Sequence, residues 1–191
     1  MYTNIRENAI LEDIPFALIN SSLETLKLGN FKLELFNTSD NLKSYSGKCL
    51  KNRNCNENSN SVVTYVKVNG KSMYLSGDIY NAKNNDKTKY LKTKTEESVA
   101  KEVTKLHGKS VDIYKASNYG NEDNNVKEAL QLLNPKYSIV TNSKSAFNDD
   151  NNMGVNRVIK HTTNDVYYAG DGTIVVNVNS KGNISFTQLN D

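Results

Sequence analysis

Ser61-Val62-Val63-Thr64-Tyr65-Val66-Lys67-Val68-Asn69-Gly70-Lys71-Ser72-Met73-Tyr74-Leu75-Ser76-Gly77-Asp78 holds two runs of β-branched and aromatic residues on either side of an Asn-Gly pair. Such side chains suit a pleated surface, and Asn-Gly accepts the left-handed conformations that a two-residue hairpin turn demands. The stretch therefore predicts strands over 61–68 and 71–76, joined at Asn69-Gly70. The second strand runs out into Ser76-Gly77-Asp78. An aspartate just beyond a buried strand, with a glycine before it, is well placed to aim a carboxylate at a metal. It is equally placed to cap the turn that follows the strand.

On the amino-terminal side, Phe31-Lys32-Leu33-Glu34-Leu35-Phe36 alternates strictly, with Phe31, Leu33 and Leu35 on one face. Gly29-Asn30 reads as a turn joining it to a short strand over 26–28. Residues 1–22 show no clean period, although the apolar positions between Ile10 and Ile19 suit a short helix or an edge strand. Residues 37–60 are polar, lysine-rich and aperiodic, the mark of a long insertion loop.

On the carboxy-terminal side, a helix is expected over 95–106, with Val99, Val103 and Leu106 on one face and Gly108 as its stop. A strand over 111–115 leads into Ala116-Ser117-Asn118-Tyr119-Gly120-Asn121. A second helix over 125–133 turns Val126, Ala129, Leu130 and Leu133 inward and ends before Pro135. A strand over 137–141 and a helix over 153–160 follow. Strands over 166–168, 173–178 and 184–187 are expected to close the chain as an antiparallel meander. Tyr167 and Tyr168 point to opposite faces of one strand, which predicts that at least one is exposed. The order predicts a mixed α/β fold with a mixed sheet, in one domain over 1–191, with 1–25 an irregular lead-in.

Composition agrees with one domain: 191 residues suffice for one real core and not for two ordinary ones. Hydrophobic residues make up 37%, below the roughly 45–50% of an average domain, and about one position in six is asparagine. That excess suits solvent faces and turns and leaves core positions free to be apolar. The net charge is +3, from 24 basic and 21 acidic residues. The nearest basic stretch, Lys43, Lys48, Lys51 and Arg53, lacks the charge bias or docking motif of a nucleic-acid surface, so nucleic acid is not expected as a partner. Glu12, Asp13 and Pro15 interrupt the apolar residues near the start, and no run approaches the roughly eighteen apolar residues of a membrane span. A cytoplasmic chain with no membrane contact is expected. Cys49 and Cys55 suit a small disulfide loop in an oxidising compartment or two unpaired thiols, and their spacing is not that of a structural zinc site.

Strand, Ser76-Gly77-Asp78, helix, strand, then a small-residue loop closed by Gly120 resembles the carboxy-terminal portion of a metallo-β-lactamase-fold hydrolase. Within that superfamily the chain is most similar to the branch containing the hydrolase domain of the competence protein ComEC. Asn60-Ser61-Val62 before the strand, Asn134-Pro135-Lys136-Tyr137 before a later one, and Val155, Ile159 and Val166 followed by Asp171-Gly172-Thr173-Ile174 line up with the family in order. The resemblance implies a partial αββα sandwich with flanking helices. It also implies zinc, held by several histidines and aspartates, with the metal activating a water.

The ligands are where the chain departs from that pattern. No His-x-His-x-Asp-His segment is present, and the chain has only two histidines. The loop that carries His-His-Gly-Ser in the family carries Asn118 and Tyr119 at the histidine places. A neutral amide is a poor zinc ligand beside imidazole. Of the family's ligands only Asp78 is retained, as a vestigial metal candidate. A hard-cation site from Asp78, Asp149 and Asp150 is conceivable but lacks calcium-loop spacing. His107 and His161 sit near helix ends, where imidazole favours the dipole and free carbonyls. Glu96 and Glu97 share a helix amino end, where negative charge is favoured. No nucleophile elbow, phosphate-binding glycine loop or Cys-His pair suggests another catalytic class.

The resulting expectation is a degenerate, non-catalytic relative or truncated remnant of such a hydrolase, without its cofactor. A sheet left with one face uncovered needs a second copy, a partner chain or residues 10–19 to cover it. Two alternatives stand beside this: a binding module using the old active-site rim, with 43–53 and 118–125 as its surface, and a hydrolase half whose remaining ligands come from a separate chain.

Overall fold

In a computed structural model the chain is described over residues 25–38, 57–81, 93–149 and 158–190. Seven strands form one sheet in chain order: β1 (Leu26–Leu28), β2 (Phe31–Phe36), β3 (Val63–Val68), β4 (Lys71–Leu75), β5 (Ile113–Lys115), β6 (Tyr137–Val140) and β7 (Asp165–Tyr168). The first four pair antiparallel and the last four parallel, so β4 belongs to both regimes. Asn69 and Gly70 both take positive φ, 48° and 76°, as the tight turn between β3 and β4 requires.

Parallel neighbours need crossovers, and the sequence supplies helices for them. α1 (Thr95–His107) joins β4 to β5, and α2 (Lys127–Leu133) joins β5 to β6. The short α3 (Lys144–Asn148) and α4 (Val158–Thr162) lie between β6 and β7. α1 packs on α2 and α2 on α4, so these three share one face of the sheet. Val99, Ala100 and Val103 of α1 and Leu130 and Leu133 of α2 bury against Val63, Tyr74, Tyr114 and Val140. One row across that face runs Glu34, Tyr65, Tyr74, Tyr114, Ser138, Val166.

The opposite face carries the row Leu33, Val66, Met73, Ile113, Tyr137, of which only Ile113 is fully buried. A separate antiparallel ribbon, β8 (Thr173–Val178) and β9 (Ile184–Leu189), lies against it. Phe186 stacks on Tyr167 at 3.9 Å and meets Tyr137 at 5.0 Å. Leu28 and Phe31, at the β1–β2 edge, stay 64% and 49% exposed.

The mixed α/β class and nearly every strand fall where the sequence places them. The closing meander does not: β7 leaves the ribbon and joins the sheet parallel to β6. Strand direction is set by the crossover before it, and period-two patterning carries no such information. Tyr167 and Tyr168 do face opposite sides, yet both are half-buried, because Phe186 covers one and Phe147 the other. The two ends of the segment over 37–60 are tied together, since buried Asn37 donates from Nδ2 to the Ser59 and Ser61 carbonyls at 2.9 and 3.0 Å. Residues 10–19, the basic stretch 43–53, Cys49 and Cys55 lie outside the described residues, as does the first part of the helix expected over 153–160. No helix among the described residues is long and apolar enough to cross a membrane.

Candidate functional site

Parallel strands β4 to β7 all end on one edge of the sheet, the edge where open α/β sheets bind their ligands. Ser76-Gly77-Asp78 leaves β4 there, residues 116–125 leave β5, 141–149 leave β6, and the turn Ala169–Asp171 leaves β7.

Hydrogen bonds lace these loops together. Buried Ser76 donates from Oγ to the Lys115 carbonyl at 2.6 Å, and the Asn118 amide donates to the Gly77 carbonyl at 3.2 Å. Ser117 Oγ and Asn124 Nδ2 both donate to the Ile79 carbonyl, at 2.7 and 2.5 Å. Asn125 Oδ1 accepts from the Tyr114 hydroxyl and the Ser117 amide, each at 2.8 Å. Further along the edge, Lys144 donates its amide to Asp171 Oδ2 at 2.8 Å. A Cβ on Gly170 would come within 2.4 Å of the Asn142–Ser143 backbone, so that crossing admits only glycine.

The structure thus brings Asp78, Asn118 and Tyr119 onto adjoining turns. Asp78 is half-buried, and among the described residues its carboxylate has no hydrogen-bond or ion-pair partner. Its backbone carbonyl takes the long bond from Asn124, at 3.4 Å. The side chain therefore does not cap the turn; Asn124 does that work. Asn118 turns its amide to Asn124 Oδ1 at 3.3 Å. Tyr119 is 61% exposed and follows Asn118 in left-handed backbone, with φ of 44° and 57°. Two consecutive non-glycine residues in that region are strained, and strain of this kind collects at functional sites.

Lys115, at the end of β5 on the face away from the helices, was not singled out by the sequence. It sits in the row Leu35, Thr64, Leu75, Lys115, Ile139. Burial pulls its ammonium below the usual lysine range, and the nearby Asp78 charge opposes that shift. Asn124 and Asn125 were also missed, because in a chain so rich in asparagine their identity carries little signal.

The other residues singled out lie elsewhere. His107 does not cap its helix end. Its Nε2 meets Glu34 Oε2 at 2.7 Å, its Nδ1 meets Lys67 Nζ at 3.0 Å, and its ring stacks on Tyr65 at 4.3 Å. An ammonium only donates, so Nδ1 accepts and the ring proton sits on Nε2, facing Glu34. Burial raises the Glu34 carboxyl, but its bonds to Lys32 and His107 outweigh that and hold it below the usual range. His161 lies in α4, its side chain outside the described atoms, and Asp150 is outside the described residues. Asp149 ends α3, its amide donating to the Ser145 carbonyl. Glu96 is buried and bonds the backbone of residues 125 and 126, a link across the fold that its place at a helix start did not reveal.

No protein-family model matches the chain, and no curated protein matches it. The described residues at this edge do not fit zinc. A side-chain amide committed to Asn124 and an exposed phenol stand where the resemblance implies imidazoles, and no three of His, Cys, Asp and Glu converge among the described residues.

Proposed function

We propose that this chain is a non-catalytic relative of metallo-β-lactamase-fold hydrolases of the ComEC-like branch, a partial αββα sandwich that keeps the frame of the site without its metal chemistry. One observation carries this reading. The Ser76-Gly77-Asp78 turn and the Asn118–Gly120 loop meet on the carboxyl edge of parallel strands through the Asn118–Gly77 bond, while the Asn118 side chain is spent on Asn124. The test is native mass spectrometry of the chain after exposure to zinc or manganese, alongside a phosphodiester hydrolysis assay. Metal-free protein without turnover is expected. Stoichiometric metal with hydrolysis lost in Asp78→Asn would overturn the proposal.

A second reading is favoured by Tyr119, whose exposed ring is held out by strained backbone. It makes the same edge a recognition surface for a partner. The exposed Leu28 and Phe31 at the β1–β2 edge support self-association, and the oligomer mass in the same spectrum tests it.

A further inference from the structure

The ribbon covers the open sheet face without filling the space beneath it. It is pinned at both ends: Asn69 Nδ2 donates to the Val178 carbonyl at 3.1 Å, and Gln188 Nε2 donates to the Tyr168 carbonyl at 3.0 Å. Between these ends a cavity of about 190 Å³ remains, walled by Val176 and Val178 from the ribbon and by Val66, Met73 and Ile113 from the sheet. Half-exposed Phe31 stands at its side. The space is a cleft half open to solvent, with more apolar than polar surface on its walls, and burying apolar surface in it is favourable. The interior therefore suits an apolar group.

The rim supplies a charge. Lys71 lines the cavity and lies under the ribbon turn, its Cε 3.5 Å from where a Cβ on Gly182 would be. The carboxylate it pairs with among the described residues, Asp112, is already committed. Oδ2 takes the Ser72 amide at 3.0 Å, and Oδ1 takes Lys136 Nζ at 3.0 Å, leaving Lys71 Nζ at 3.7 Å, beyond hydrogen-bond reach. Among the described residues one carboxylate thus faces two ammonium groups, and none of those lining the cavity is acidic. The local excess is positive, and Lys71 is the ammonium with donors to spare.

We propose that this slot binds an alkyl carboxylate, its chain among Val66, Met73, Ile113 and Val176 and its head on Lys71. The site lies on the opposite sheet face from the helices and is independent of the metal question. The probe is octanoate, with octanol as the uncharged comparison, titrated into the full chain while the methyl resonances of Met73 and Ile113 are followed by NMR. Saturable shifts are expected with octanoate, with octanol weaker by about tenfold, the scale of one charge-assisted hydrogen bond. Lys71→Met should erase that preference while leaving the fold intact. Val176→Phe, which fills the cavity, should abolish the shifts. If Val176→Phe fails to fold, Lys71→Met decides alone. Absence of saturable shifts, equal binding of octanol and octanoate, an unchanged preference in Lys71→Met, or undiminished binding to folded Val176→Phe would each overturn the proposal.

Discussion

Glu96 Oε2 accepts the Val126 amide at 2.8 Å, while Oε1 accepts the Asn125 amide at 3.0 Å. A residue in the first turn of α1 thereby serves the free amides just ahead of α2, and no side chain of α2's own segment caps it. Glu96 is in turn held by its own amide, which donates to Asn81 Oδ1 at 2.8 Å. α1, α2 and the loop after β4 are coupled through this one carboxylate.

That coupling has a pH signature. Burial pushes the Glu96 carboxyl up to about 7 against the pull of the two amide donors. Between its ordinary value and about 7 the folded chain binds more protons than the unfolded chain, so stability falls as pH rises through that window. The contribution is fully present below pH 4.5 and is lost above about 7, a change on the order of 3 kcal/mol. Urea midpoints measured from pH 4.5 to 8 should decline, and Glu96→Gln should remove most of the slope. A variant that retained the wild-type slope would show that another group titrates.

His107 offers a different contrast. If the ring served only the helix dipole, replacing it would cost under about 1 kcal/mol and the loss would fade in salt. Its bonds to Glu34 and Lys67 predict more. His107→Phe keeps a ring on Tyr65 but strips a nearly buried carboxylate of a partner, at about 1–2 kcal/mol. A double-mutant cycle with Glu34→Gln should return a coupling of about 1 kcal/mol, and zero coupling would refute the pair.

Local signals were the legible ones. Asn69-Gly70 and the alternation of Phe31–Phe36 are each settled within a few residues, and the structure follows them. The parallel direction of β7, the isolation of the ribbon and the reach of Glu96 to residues 125 and 126 depend on partners far along the chain, which no window of sequence contains. At the carboxyl edge the sequence singled out Asp78, Asn118 and Tyr119, and the fold brings their loops together. The residues that fasten those loops, Ser117, Asn124 and Asn125, were hidden in a background of similar polar residues. Their roles are geometric, set by which carbonyl each one faces.

Gly120 tests how tightly that edge is built. Its φ is 79°, and a Cβ there would sit 3.0 Å from Phe147 and 3.1 Å from Val140, both buried. Gly120→Ala meets strain from the backbone and from two walls that have little room to move. A loss of about 2 kcal/mol is expected, read as a fall of several degrees in Tm. An unchanged Tm would mean that the loop relaxes away from β6.

Tyr119 should behave in the opposite sense. Its left-handed backbone costs roughly 1–2 kcal/mol that a glycine would not incur, and its largely exposed ring has little packing to lose. Tyr119→Gly should therefore stabilise the chain, by about 0.5–1 kcal/mol once the extra freedom of glycine in the unfolded state is subtracted. A gain in stability on removing this strained, exposed tyrosine would support the proposed recognition role of the edge. If Tyr119→Gly instead lowers Tm, the ring is a structural element of the loop, and the reading of this edge as a recognition surface loses its main support.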